Sequence, residues 1–451
     1  MSEPDTHASP LTELLSLALP TMAQMASYTV MQFIDTWMLS RLGEAPATAA
    51  ANSGILSFAL VSLGIGTLVL VNTFVSQAFG RGEFKKCGQY LWQGIWLSLA
   101  YGLALLPMRA VAGPLFAAFG HPAAQALMEA GYFRIVLFSA GVKLVSSAAG
   151  QFFLGIDRAN AVLAGAVFGV AVNAGAAWCI VLGHCGFASH GVVGAAWAQN
   201  IGVTSEMFVL LLLLARRSIR TGFGLFNVRP RWALAGPLLR VGIPSGLQWF
   251  SDVLSWSIFC NGVLGLLGSA AMAANTFMLR YMVVSFLPAY GISVAVTALV
   301  GRYIGRGRPD IAARRAGLGM IVTMIYILCC GTVFVAFRIP LMRVFTHDPQ
   351  VISIGAVYLV FCAVYEISDG LYLLYSGALR GAGDTLVPTL VSSGLCWTIM
   401  LGGGFLVASK YPGWIAGPWI VACVYGFTLG LWMMWRFVRG PWRNFRISAA
   451  V

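Results

Sequence analysis

Arg216 to Arg231 reads RRSIRTGFGLFNVRPR, and this basic stretch decides how the rest of the chain is read. It falls almost at the middle of 451 residues, with long apolar runs on both sides. Charged residues make up 10% of the chain and apolar ones 59%. A water-soluble protein carries about a quarter charged residues. So little polar surface cannot cover a globule of this size. The apolar residues run from end to end, which leaves no room for a soluble domain. The net charge of +13 sits in short loops between apolar runs, not in a patch that would hold nucleic acid.

A membrane-spanning helix takes about 20 mostly apolar residues. Twelve such stretches are predicted, at 13–40, 49–77, 88–113, 124–150, 159–182, 191–215, 236–264, 270–302, 314–337, 352–378, 386–408 and 414–438. Barrel strands would be about ten residues long and alternate in polarity, so the runs are read as helices. The basic stretch then separates six helices from six. The expected layout is a tail at 1–12, a first lobe at 13–215, a linker at 216–235, a second lobe at 236–438 and a tail at 439–451. Lysines and arginines concentrate in the loops after even-numbered helices, among them Arg81, Lys85, Lys86, Arg158, Arg306, Arg308 and Arg380. The positive-inside bias puts those loops and both termini in the cytoplasm. The first residues lack the basic segment and cleavage site of a signal peptide, so the first apolar run is expected to be a retained span. The nine cysteines lie almost all in apolar runs with no C-x-x-C pair, which makes them packing residues, not a disulfide or zinc framework.

The halves repeat. Leu19-Pro20 answers Ile243-Pro244 at an offset of 224, and Gly80-Arg81-Gly82 answers Gly305-Arg306-Gly307 at 225. His121 answers His347 and Gly155 answers Gly381, both at 226. Both halves start from the same side, so the repeats are parallel. Secondary transporters with such repeats bind substrate near the bilayer midplane, at the repeat interface.

Ionisable groups inside apolar helices are costly and by default functional. Here they are Asp35 in helix 1, Glu206 in helix 6, Asp252 in helix 7, and Glu366 with Asp369 in helix 10. Glu366 and Asp369 are three apart and share a helix face. Two carboxylates that close compete for ionisation, which suits a proton carrier. Lys143, Arg134 and Arg280 are the intramembrane bases. Lys143, Arg280 and Glu206 are the expected charge partners of the acids, and pairing of helix 10 to Lys143 or Arg280 as a structural ion pair is the plainer alternative. The acids do not follow the repeat: Asp35 maps onto Phe259, Asp252 onto Tyr28, and Asp369 onto Lys143. Tyr28, Trp249, Tyr365 and Tyr372 are candidates to line a cavity for flat cations, with Gln32 and Gln248 beside them. Asn200 and the other membrane amides are read as helix-to-helix stitches. Pro20, Pro244 and Pro288 are read as helix starts or kinks.

Phe33-Ile-Asp-Thr-Trp-Met38 after Leu19-Pro20, Val75-Ser-Gln-Ala-Phe-Gly-Arg-Gly82 after helix 2, and Ser376-Gly-Ala-Leu-Arg-Gly-Ala-Gly-Asp-Thr385 after helix 10 together resemble the multidrug and toxic compound extrusion (MATE) transporters. The resemblance covers the whole chain. It implies an all-α membrane fold of two pseudo-symmetric six-helix lobes. It also implies a multi-pass exporter of amphipathic or cationic compounds in the bacterial inner membrane, driven by protons or sodium ions, with no enzymatic activity. It places Asp35 as the helix 1 acid, Asn173 as the asparagine near it, and Asp252 and Asp369 as the acids of the NorM-like branch, with Glu366 one turn before. Ala177 stands where another branch carries a second helix 5 acid. No cofactor or fixed metal is implied beyond a sodium ion at the acids. The expected partners are the lipid bilayer and small molecules, with the chain a monomer. The alternative is a lipid-linked precursor flippase or metabolite exporter of the same superfamily, which the bases Lys143, Arg134 and Arg280 would suit. A membrane-embedded enzyme is disfavoured, because His7, His121, His184, His190 and His347 are scattered in the terminus and loops.

Overall fold

A computed structural model describes residues 9–119, 122–186 and 188–444. His121, one of the repeat marks, lies outside the described residues, as do His7 and Arg446.

All twelve predicted stretches are helical. They are α1 (Pro10–Ser40), α2 (Glu44–Gly80), α3 (Phe84–Arg109), α4 (Ala123–Phe138 and Ala140–Gly155), α5 (Ala159–Ile180) and α6 (Gly191–Ala215), then α7 (Trp232–Leu267), α8 (Ser269–Gly305), α9 (Pro309–Ala336), α10 (Pro349–Ala382), α11 (Leu386–Lys410) and α12 (Gly417–Arg439). Among the described residues ten helices are long and apolar enough to cross a membrane, and the two segments of α4, taken as one bent span, would make eleven. At 31 residues α1 has the length but not the apolarity, since it carries Glu13, Gln24, Gln32 and Asp35. Pro20, Pro244 and Pro288 all sit inside helices. The chain is an all-α membrane protein.

Local chemistry sets the ends of α10. Asp348 caps the start by accepting from Gln350 N at 2.8 Å, and Pro349 occupies the first turn, where its missing N–H costs nothing. Gly383 closes the helix in the left-handed conformation. The backbone carries the repeat in the same currency. Positive-φ residues recur in pairs, Gly43 with Gly268, Gly82 with Gly307, and Asp157 with Gly383. The spacing matches that of the sequence repeat, and Asp157 holds the left-handed turn without a glycine.

The break in α4 has a tertiary cause. The two segments meet at 46°. The Ser139 N–H turns to Leu137 O, which frees the carbonyl of Ile135. Asn200 of α6 fills the gap: its Nδ2 donates to Ile135 O at 2.7 Å, and its Oδ1 accepts from Ser139 Oγ at 2.5 Å. Asn200 is thus a stitch, as expected of it.

The described chain forms two compact units, cut inside α1 and α7. One unit joins α1 up to Met22 with everything from Leu247 onward. In it α8 and α10 approach closely at Gly377, where a side chain would strike Ser293 and Thr297. Ser293 Oγ donates to Leu373 O at 2.6 Å and Thr297 Oγ1 to Gly377 O at 2.8 Å. Small residues with hydroxyl donors are how helices pack in lipid, where apolar burial gives no drive. The opening turn of α1 is held in this unit by Glu13, which meets Arg315 Nε at 2.6 Å, Tyr303 Oη at 2.7 Å and Arg302 Nη1 at 3.3 Å. The other unit spans Ala23–Gly246. The linker after Arg220 is bound to α3 there. Trp92 and Trp96 donate their indole N–H groups to the carbonyls of Leu225 and Val228, and Gln93 accepts from Arg231 N.

Candidate functional site

The acids fall into two groups, one in each unit. In the unit that contains α7 and α10, a polar chain runs between those helices. Gln248 Nε2 donates to Tyr372 Oη at 2.8 Å, and Tyr372 Oη donates to Asp252 Oδ2 at 2.9 Å. Gln248 is 2% exposed. Asp369 and Tyr365 lie on the same stretch of α10 and interact, and the Asp369 charge also acts on Asp252 and on Glu366. Tyr365 packs edge-on against Trp256, ring centroids 5.4 Å apart, and against Trp419 at 6.2 Å. Trp249 packs edge-on against Tyr290 at 5.3 Å.

Several carboxylate oxygens in this group have no partner. Asp252 Oδ1, Asp369 Oδ2 and both oxygens of Glu366 are buried without a hydrogen bond. A buried ionised carboxylate left this way is expensive. A proton or a cation would relieve it. Asp369 is 6% and Glu366 1% exposed.

The second group lies in the Ala23–Gly246 unit. Asp35 of α1 faces Asn173 of α5. Asp35 Oδ1 and both polar atoms of Asn173 are buried without a hydrogen-bond partner. Ala177, one turn beyond Asn173, sits in the packed cluster with Met38, Leu39 and Tyr132. Two turns before Asp35, on the same face of α1, Tyr28 donates from its hydroxyl to Glu206 Oε1 of α6 at 2.8 Å. Gln32 lies between them and is exposed.

The bases distribute differently from the expectation. Lys143 acts electrostatically on Glu206, within its own unit, and stands over the Phe58 ring at 5.8 Å. Arg280 is exposed. Arg134 is exposed as well and exchanges hydrogen bonds with Arg109, each Nε donating to the other's carbonyl, at 3.2 and 2.9 Å. The base that faces the α7–α10 acids is Arg380, which acts on Asp252. Sequence reading put Arg380 in a loop. The structure carries α10 on to Ala382 and buries Arg380 to 5% exposure. Its place inside the Ser376–Thr385 motif was the available signal. Asp384 of that motif is held two-pronged by Arg436, at 2.8 and 3.0 Å. A further buried acid, Glu129 of α4, was missed. It accepts from Asn52 Nδ2 at 3.0 Å and Gln125 Nε2 at 3.1 Å, which makes it a satisfied helix-to-helix anchor.

Among the described residues no cluster of three or more His, Cys, Asp or Glu has the arrangement of a metal site. What the two groups offer is buried carboxylates with open oxygens, which a bound positive charge would satisfy.

Comparison with known proteins places these features. The multidrug resistance protein PmpM of Pseudomonas aeruginosa is 28% identical over 407 residues, which cover 88% of this chain and 83% of that one. The probable multidrug resistance protein NorM of Burkholderia pseudomallei is 29% identical over 444 residues, 97% of this chain and 94% of that one. Among solved structures, a MOP superfamily transporter from Pyrococcus furiosus matches with a TM-score of 0.86 over 99% of both chains, at 20% identity. The eukaryotic MATE transporter AtDTX14 matches with 0.85 over 96% of this chain and 97% of that one, at 18% identity. These structural likenesses carry the fold. The MatE family model matches residues 20–179 and 250–401, one segment in each half and together more than half of the chain. On that match the chain belongs to the MatE family, the group its helix 1, helix 2 and helix 10 motifs resemble.

Proposed function

We propose that this protein is a secondary active exporter that trades amphipathic or cationic compounds for protons or sodium ions. Its lobes are α1–α6 and α7–α12, with both termini cytoplasmic, and it works by alternating access between them. The observation that carries this reading is the set of buried carboxylate oxygens without partners at Asp35, Asp252, Glu366 and Asp369. Such groups change state when a proton or cation arrives. Coupling follows if the two open states of the protein differ in affinity for that ion, since a ligand shifts an equilibrium only by its differential affinity. Tyr372 orients Asp252 and is itself held by Gln248, and Tyr365, Tyr372 and Trp249 supply aromatic faces for an organic cation. The relatives named for multidrug resistance support this class of substrate.

The test is efflux of an organic-cation dye from inverted membrane vesicles, with a pH gradient and a sodium gradient imposed separately. Transport under one gradient and not the other names the ion. Full transport by both Asp35→Asn and Asp369→Asn would overturn the site. The flippase alternative needs a strongly cationic cavity. Arg134 is tied to Arg109 by reciprocal hydrogen bonds and Lys143 acts on Glu206, whereas the open oxygens belong to acids, so the exporter is the better-supported reading.

A further inference from the structure

Among the described residues, eight of the nine cysteines sit in membrane helices, and Cys185 alone lies outside them. It is exposed, on the connection between α5 and α6. Its neighbour in space is Cys179, half-buried on the last turn of α5, and the two thiols are within hydrogen-bonding reach of each other.

The backbone is what brings them together. Gly183 takes the left-handed conformation, φ +78°, and turns the chain back over the end of α5. His184 N then donates to Cys179 O at 3.0 Å. A six-to-one bond beside a left-handed glycine is a Schellman closure, and the side-chain contact that accompanies such closures is present too. The His184 ring packs edge-on against Trp178, with centroids 4.6 Å apart. Cys185 and Gly186 follow in the left-handed region as well, at φ +58° and +85°. For Cys185 that backbone is uncommon, because it carries a Cβ. Beyond it, Ser189 Oγ donates to Val181 O at 2.7 Å and His190 N donates to Ile180 O at 3.0 Å. The connection is thus tied to the end of α5 on both sides of Cys185. A spacing of six residues matches no cysteine motif, so only the folded turn reveals the pair.

We propose that Cys179 and Cys185 are an oxidation site, which an extracytoplasmic disulfide donor closes into an intramolecular disulfide. This rests on the orientation proposed above, in which the connections after odd-numbered helices face outward, into a compartment where disulfides persist. The exposed Cys185 thiolate attacks the donor disulfide and releases one donor sulfur as a thiol. Cys179 then attacks the mixed disulfide at the Cys185 sulfur and releases the other. One S–S bond breaks and one forms, and both hydrogens lost by the cysteines leave on the donor. The new bond locks the chain reversal that ends α5. Ala177 and Val181, on either side of Cys179, pack with Met38 and Leu39 of α1, one turn beyond Asp35. The lock therefore sits at the outer end of the helix pair that carries Asp35 and Asn173.

The experiment reads the thiols by mass. Cells expressing the full chain are quenched with N-ethylmaleimide, and the protein is denatured in that reagent before any reductant is added. A maleimide of different mass then labels whatever reduction frees. The expected result is that Cys179 and Cys185 carry the second label in most molecules, whereas the other seven cysteines carry the first. In Cys185→Ser, Cys179 should take the first label, and in Cys179→Ser so should Cys185. The first label on both positions in the wild type overturns the proposal. So does a second label on Cys179 that survives Cys185→Ser, since its partner is then another cysteine. A parallel arm exposes the reduced, purified wild type to oxidised glutathione and tells the causes of failure apart. No bond there rejects the geometry and leaves the orientation and the exporter untouched. A bond there, with free thiols in the cell, rejects the outward placement of the loop and the proposal with it.

Discussion

The two acid groups are built on opposite plans. In the second half, Asp369 acts on both Asp252 and Glu366, and oxygens of all three acids stay open. Tyr372 satisfies one oxygen of Asp252, and Arg380 is a base that acts on it. In the first half the acids are spread out, each with its own companion: Asp35 with Asn173, Glu206 with Tyr28 and Lys143. Crowded like charges suit the uptake of a cation. Separated acids, each beside its own polar neighbour, suit the binding of one proton or ion at a time. The repeated scaffold supports both, because the helices repeat and the charges do not.

The largest effect that tests this contrast is expected at the crowded site. Asp369→Asn should cut gradient-driven dye efflux by on the order of 100-fold, with the protein still present in the membrane. Efflux close to wild type would remove the second half from coupling. Asp35→Asn should follow, with a loss of about 10-fold or more, because one acid with one amide has nothing to substitute for it. Equal and complete loss in both variants would erase the distinction between the plans. Gly202→Ala, assayed by thermal unfolding in detergent, should destabilise by about 1–3 kcal/mol, since the added methyl meets backbone and Asn173 across the crossing. An unchanged melting temperature would show that α5 and α6 slide freely. Asn200→Ala removes both bonds at the α4 break and should cost about 1–3 kcal/mol for the carbonyl left open. The smallest effect belongs to Arg280→Ala. The residue is exposed, and efflux should stay within about twofold of wild type. A large loss there would return Arg280 to the site.

Much of the fold was legible because hydrophobic length is a strong signal in lipid. The span at 191–215 coincides with α6, and most other bounds shift by a few residues. The shifts have a common direction at motif ends. Helices α2, α8 and α10 run past the predicted ends at 77, 302 and 378 to Gly80, Gly305 and Ala382, and a positive-φ residue just beyond, at Gly82, Gly307 and Gly383, closes each. That extension turned Arg380 from a loop charge into a buried one. The break in α4 was invisible because no proline marks it; its cause is Asn200, 61 residues further on. The hydrogen bond from Tyr28 to Glu206 was hidden for the same reason. Periodicity finds the polar residues on a helix but not which helix they will face.

The jointed α4 has a mechanical consequence. Its repeat counterpart, α10, is one unbroken rod of 34 residues, about 51 Å long. Each limb of α4 has 16 residues, about 24 Å, shorter than a hydrocarbon layer of about 30 Å. A rod meets a thicker or thinner bilayer by tilting as a whole. A jointed element meets it by opening or closing at the elbow, at a strain of fractions of a kcal/mol per Å spread over one side chain's hydrogen bonds. The expected consequence is that the first half yields more readily than the second to a change in lipid chain length, at the elbow by Ser139.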